Sequence, residues 1–144
     1  MVNRIISGLF CICIGLLLIA IPHCLFPVCS AELQLAGKDL TVPMKCFWTA
    51  RAELGAGLVI IASGIMLFLF KNPHTRIGIS VATTAVAVLA FAVPTWLIGV
   101  CLSETMLCRI GTLPALQLSS GILFLFTLLN ALYLYRTNKT NKLR

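Results

Sequence analysis

Acidic residues are nearly missing from this sequence. Among 144 residues there are 4 Asp and Glu against 11 Lys and Arg, and all charged residues together make up 10%. A water-soluble domain carries about 25% charged residues, so a chain this poor in charge cannot turn most of its surface to water. Several catalytic motifs are missing as well. There is no C-x-x-C, no HExxH, no phosphate-binding glycine loop and no Ser/His/Asp set. Thioredoxin-like exchange, zinc proteolysis and nucleotide hydrolysis therefore lack their usual signatures. No ionisable residue sits in the middle of a long apolar run, which argues against a proton relay or ion pathway. What remains is a chain 60% hydrophobic, the composition of a membrane protein.

Four apolar runs are free of Lys, Arg, Asp and Glu: Ile5 to Pro22, Leu54 to Phe70, Ile77 to Val100 and Leu113 to Tyr135. A helix needs about 20 residues to cross a bilayer, and continuous helices satisfy their own backbone groups in lipid. The expectation is an all-α antiparallel bundle of four transmembrane helices, about residues 4–22, 50–70, 77–100 and 113–135, forming one domain over 1–144. The first run begins like a secretory signal. It is longer than the usual apolar region of a signal peptide, about 7–15 residues, so a retained helix is expected.

Charge sets the expected orientation. Arg4, Lys71, Arg76, Arg136, Lys139, Lys142 and Arg144 fall on one side; Lys38, Lys45, Arg51 and Arg109 fall on the other with Glu32, Asp39, Glu53 and Glu104. The positive-inside rule then places both termini, the "KNPHTR" turn and the tail 136–144 in the cytoplasm, and turns loops 23–49 and 101–112 outward. The net charge of +7 is a topology signal rather than a nucleic-acid footprint. Small residues suggest where helices meet: Ala50, Gly57 and Gly64 in the second, Gly78, Ala82 and Ala85 in the third, Ser119 to Gly121 in the fourth. Trp48 and Trp96 suit the outer aromatic belt, Tyr133 and Tyr135 the inner one.

Of 7 cysteines, Cys11 and Cys13 lie within the first run and read as packing residues on different faces. The other five, Cys24, Cys29, Cys46, Cys101 and Cys108, fall in or beside the outward loops. An oxidising compartment favours disulfides there, although sequence alone leaves connectivity open and an odd number leaves one thiol over. Met44-x-Cys46 and Met106-x-Cys108 repeat each other, which points to a degenerate two-fold repeat of helix, Cys loop, helix.

The stretches "PHCLFPVC", "MKCFWTARAELG" and "IGVCLSETMLCR" resemble an uncharacterised bacterial family of small four-span membrane proteins, catalogued as domain of unknown function 4418. The resemblance covers nearly the whole chain and implies a fold and a bacterial plasma-membrane location without an agreed activity. It also implies an accessory role beside an ABC-type export system. Members often carry His after each Met-x-Cys, where this chain has Phe47 and Arg109.

Three functions are then open. The first is a non-enzymatic accessory or structural subunit, partnered by the lipid bilayer and by an ABC transporter permease or a second copy, with loops stapled through Cys29, Cys46, Cys101 and Cys108 and Cys24 left over. The second is a membrane thiol–disulfide oxidoreductase linked to a quinone, with Arg51 at the quinone. The third is a copper site of Met44, Cys46, Met106 and Cys108, since thioether and thiolate ligands select Cu(I). No catalytic residue, resident cofactor or nucleic-acid partner is expected. An ion pair of Glu53 with Arg51 or Arg109 is expected at the outer face.

Overall fold

A computed structural model describes residues 2–26, 32–34, 41–43, 45–100 and 108–142. Four long helices, α1 (Val2–Ala20), α2 (Lys45–Leu69), α3 (Pro73–Ala92) and α4 (Leu113–Lys142), form an antiparallel bundle. Each lies in a stretch long and apolar enough to cross a membrane, and Leu, Ile, Val and Phe side chains are exposed along all four. Such a surface is compatible with lipid and not with water, so this is a multi-pass membrane protein. α2 starts at Lys45 and α4 runs on to Lys142, both beyond the apolar cores that set the expected bounds. Between α1 and α2 lies a two-stranded antiparallel hairpin, β1 (Glu32–Gln34) with β2 (Thr41–Pro43), in the register Leu33 opposite Val42. The bundle end carrying this hairpin is the loop end; the opposite end carries the start of α1, the α2–α3 turn and the end of α4.

That turn is short because its sequence stops one helix and starts the next. Asn72 is extended, as a residue before proline prefers, and its side chain accepts a hydrogen bond from the His74 amide at 3.1 Å. Pro73 then opens α3, where its missing N–H costs nothing.

Buried positions recur at alternating steps of three and four. In α2 they are Cys46, Ala50, Glu53, Gly57, Ile60, Gly64 and Leu67, with Thr49 buried beside Ala50. This is a seam of period 3.5, which closes helices in left-handed crossings. The α1 and α3 seams match residue for residue. Gly8, Cys11, Gly15, Leu18, Ile21 and Pro22 correspond to Ser80, Thr83, Ala87, Ala90, Val93 and Pro94, all buried and 72 positions apart. Both helices then widen into a π turn around their proline, at Ile21–Leu25 and Val93–Leu97. A proline lacks the N–H that would bond four residues back, and polar side chains meet the loosened carbonyls. His23 Nδ1 lies 2.9 Å from the Ile19 carbonyl oxygen, and its counterpart Thr95 donates to that of Phe91 at 3.0 Å.

The second helices of the halves also match, with one adjustment. Cys108 follows Cys46 by 62 positions, but Leu116, Ser120, Leu123 and Thr127 follow Glu53, Gly57, Ile60 and Gly64 by 63, all buried. A π turn at Cys108–Thr112 leads into α4 and takes up the extra residue. The repeat is therefore two helical hairpins of the same direction, α1–α2 and α3–α4, as in parallel repeats about an axis along the membrane normal.

In the first hairpin the backbones touch. A Cβ at Gly15 would lie 2.9 Å from the Gly57 carbonyl oxygen, one at Gly57 2.9 Å from that of Gly15, and one at Gly64 2.8 Å from that of Gly8. Gly57 and Gly64 thus serve as expected. On α3 the expected contact residues Gly78, Ala82 and Ala85 instead face outward, and Gly121 of α4 has open space beside it. The side chains turned inward there are hydroxyls and an amide, because lipid offers them no hydrogen bonds. Thr84 donates to Thr127 at 2.9 Å and Asn130 to Ser80 at 3.0 Å.

Candidate functional site

The loop end gathers the residues that the sequence singled out. Cys46 opens the buried seam of α2, and Cys108 opens the π turn that feeds α4; both are fully buried and occupy matching places in the two halves. Cys24 is exposed in the π turn after α1. Cys11 is buried and Cys13 exposed, as expected for residues on different faces of one helix. Cys29, Cys101, Met44 and Met106 lie outside the described residues, so the four-sulfur set and the four staple cysteines are each only half in view. Among the described residues, no three of His, Cys, Asp and Glu gather into a metal-holding group.

Each half fastens the loop root of the other. Thr49, one turn into α2, donates to the carbonyl oxygen of Gly99 at 2.7 Å, beyond the end of α3. Gly99 has φ of 77°, a left-handed turn that glycine makes without strain. Thr112, at the entrance to α4, donates to the carbonyl of Phe26 at 3.1 Å, beyond the end of α1. The Phe26 ring packs on Gly111, where an added Cβ would meet it at 2.6 Å. The donors are counterparts under the repeat, 63 positions apart, and the acceptors fall within one residue of matching, 73 positions apart against the 72 that relate α1 to α3. Neither bond was legible in sequence, because their acceptors are backbone atoms of distant segments.

Glu53 is the departure from symmetry. It is fully buried, and among the described residues neither carboxyl oxygen has a hydrogen-bond partner. Among those residues, neither Arg51 nor Arg109 is shown hydrogen-bonded to it. Arg51 is exposed with its guanidinium carbon 5.2 Å from the Phe47 ring centroid, and Arg109 is exposed as well. The reason is geometric, since residues two apart on a helix do not share a face. The hydroxyl of Thr49, one turn earlier on the same seam, already donates to carbonyl oxygens. A buried polar group left unpaired costs about 1–3 kcal/mol, and the matching position in the other half holds the apolar Leu116. A carboxyl kept at such a cost is the most conspicuous chemical group of the loop end.

Compared with known proteins, residues 11–133 match the model of a family described as a domain of unknown function, DUF4418. No curated protein and no solved structure matches the chain.

Proposed function

The chain belongs to the DUF4418 family, and from that premise and its own geometry we propose a non-enzymatic accessory or structural subunit that holds stapled loops at one membrane face. The observation that carries this reading is the reciprocal fastening of the loop roots by Thr49 and Thr112. Two buried cysteines stand beside those bonds at matching positions. On this reading Cys29 closes on Cys46, Cys101 closes on Cys108, and Cys24 is left over. Each closure stabilises its loop by about 2–4 kcal/mol. The loops face outward from a bacterial plasma membrane with both termini cytoplasmic, as the distribution of Lys and Arg favours. There they present a fixed surface to an ABC-type export permease or to a second copy.

Thiol blocking of the native protein followed by non-reducing peptide mass spectrometry tests the staples. Two disulfide-linked peptides are expected; four or more blocked thiols among the five loop cysteines would sink the reading. A second reading, quinone-linked thiol–disulfide exchange, is favoured by the unpartnered carboxyl of Glu53 two turns beyond Cys46 on one seam. Reduction of added ubiquinone by a dithiol in the presence of the protein, lost in Cys46→Ser, would establish it over the first.

A further inference from the structure

Two arginines occupy matching places at the end of the bundle away from the loops. Arg76 of α3 lies 72 positions after Arg4 of α1, so the repeat brings them to one level. Arg76 is 8% exposed, and the Nε atoms of both arginines are buried without a hydrogen-bond partner. Arg76 donates from Nη2 to the Ser7 hydroxyl at 3.5 Å, and the guanidinium carbon of Arg4 sits 5.9 Å from the Phe68 ring centroid. Ser7 in turn donates to the Arg4 carbonyl oxygen at 3.3 Å, so one hydroxyl joins the backbone of Arg4 to the side chain of Arg76.

Buried charges are normally paired, because desolvation without a partner is expensive. Among the described residues no carboxylate side chain lies at this end. Glu53 is at the loop end and Glu32 in β1. In sequence, Asp39 falls between the strands and Glu104 between the π turn of α3 and that of α4. No described residue supplies the counter-charge, which leaves room for a ligand that does.

A groove at the same end of the bundle, lined by Asn3 next to Arg4 in sequence, says what kind of molecule brings that charge. Asn130 donates to Ser80 at 3.0 Å and accepts from Asn3 at 3.3 Å, which carries the polar cluster from α3 across to α1. The two amides form the rim of a groove of about 260 Å³ between α1 and α4, floored by Ile6, Phe126 and Leu129. A guanidinium fork matches phosphate oxygens, and an apolar channel opening to lipid matches an acyl chain. We propose that Arg4 and Arg76 bind the phosphate of an anionic phospholipid, one acyl chain of which lies in the groove between α1 and α4. A free phosphate would satisfy the arginines but leaves the groove at that end without a role.

The test uses the whole protein in neutral detergent. Its thermal unfolding and native mass spectrum are measured with added phosphatidylglycerol, with phosphatidylcholine of the same chains, or with inorganic phosphate. Phosphatidylglycerol is expected to raise the unfolding midpoint and remain bound, while the other two do much less. The double variant R4Q/R76Q should retain that lipid about tenfold less, the loss expected for a charge-assisted hydrogen bond. Leu129→Trp, which fills the groove and spares both arginines, should also weaken retention; it keeps the question decidable if the double variant fails to fold. An equal effect of phosphatidylcholine overturns recognition of the charge. Equal stabilisation by inorganic phosphate, or full retention in Leu129→Trp, overturns the lipid assignment.

Discussion

The two hairpins trace the same path and are held together differently. In α1–α2, Gly8, Gly15, Gly57 and Gly64 let one backbone rest on the carbonyls of the other. In α3–α4 the matching positions are Ser80, Ala87, Ser120 and Thr127, and hydrogen bonds of 2.9 and 3.0 Å cross between the helices. Lipid gives helices no hydrophobic reason to associate, so close packing and interhelical hydrogen bonds are the two means available. One chain uses each of them once. The difference shows that a seam of period 3.5 fixes where helices meet and leaves open what holds them there.

The comparison can be broken most severely in the first hairpin. Gly15→Leu drives a side chain into the Gly57 carbonyl, and a loss of about 3 kcal/mol is expected, the upper range for overpacking. Unfolding in mixed detergent micelles would measure it, and a loss under a third of that size would mean the backbones are not in contact. In the second hairpin Asn130→Leu removes bonds to both Ser80 and Asn3, at a cost of about 1 kcal/mol by membrane precedent. Glu53→Leu makes the first hairpin like the second at that level and should raise stability by about 1 kcal/mol, the lower bound for relieving an unpaired polar group. A destabilised Glu53→Leu would show that the carboxyl has a partner in the membrane. Thr49→Val and Thr112→Val should cost about 0.6 kcal/mol each, and near-equality of the two losses is the sharper expectation, since the two donors occupy matching positions and each ends on a backbone carbonyl just past the other half's first helix. Smallest of all, Gly78→Ala and Gly121→Ala meet open space and should gain about 0.5 kcal/mol through the unfolded state.

Much of the fold was legible because lipid demands long apolar runs, and Gly57 and Gly64 stand at the spacing of a contact seam. The third helix was misread for an instructive reason. Gly78, Ala82 and Ala85 are small, but smallness alone does not say which face turns inward. Ser80, Thr83 and Thr84 decided it, since a hydroxyl in lipid seeks a neighbour while an alanine does not need one. The candidate site was less legible. Arg51 and Glu53 are close in sequence and point apart on the helix, and the ties from Thr49 and Thr112 end on carbonyls that no side-chain pattern announces. The matched cysteines were visible from the repeated Met-x-Cys; the matched arginines were visible only as scattered topology charges until the repeat aligned them.

The π turn at Cys108–Thr112 has a consequence for how these halves could diverge. A single added residue in an ordinary α-helix rotates everything after it by about 100°, which would swing Leu116, Ser120 and Thr127 out toward lipid. Here the surplus is stored as a local loop of slack before α4 begins. Cys108 and the seam beyond it therefore each keep their own angular setting. The second half tolerates a change of length that would otherwise have unwound its fit to the first, and the membrane face and the bundle interior are free to vary on either side of that turn.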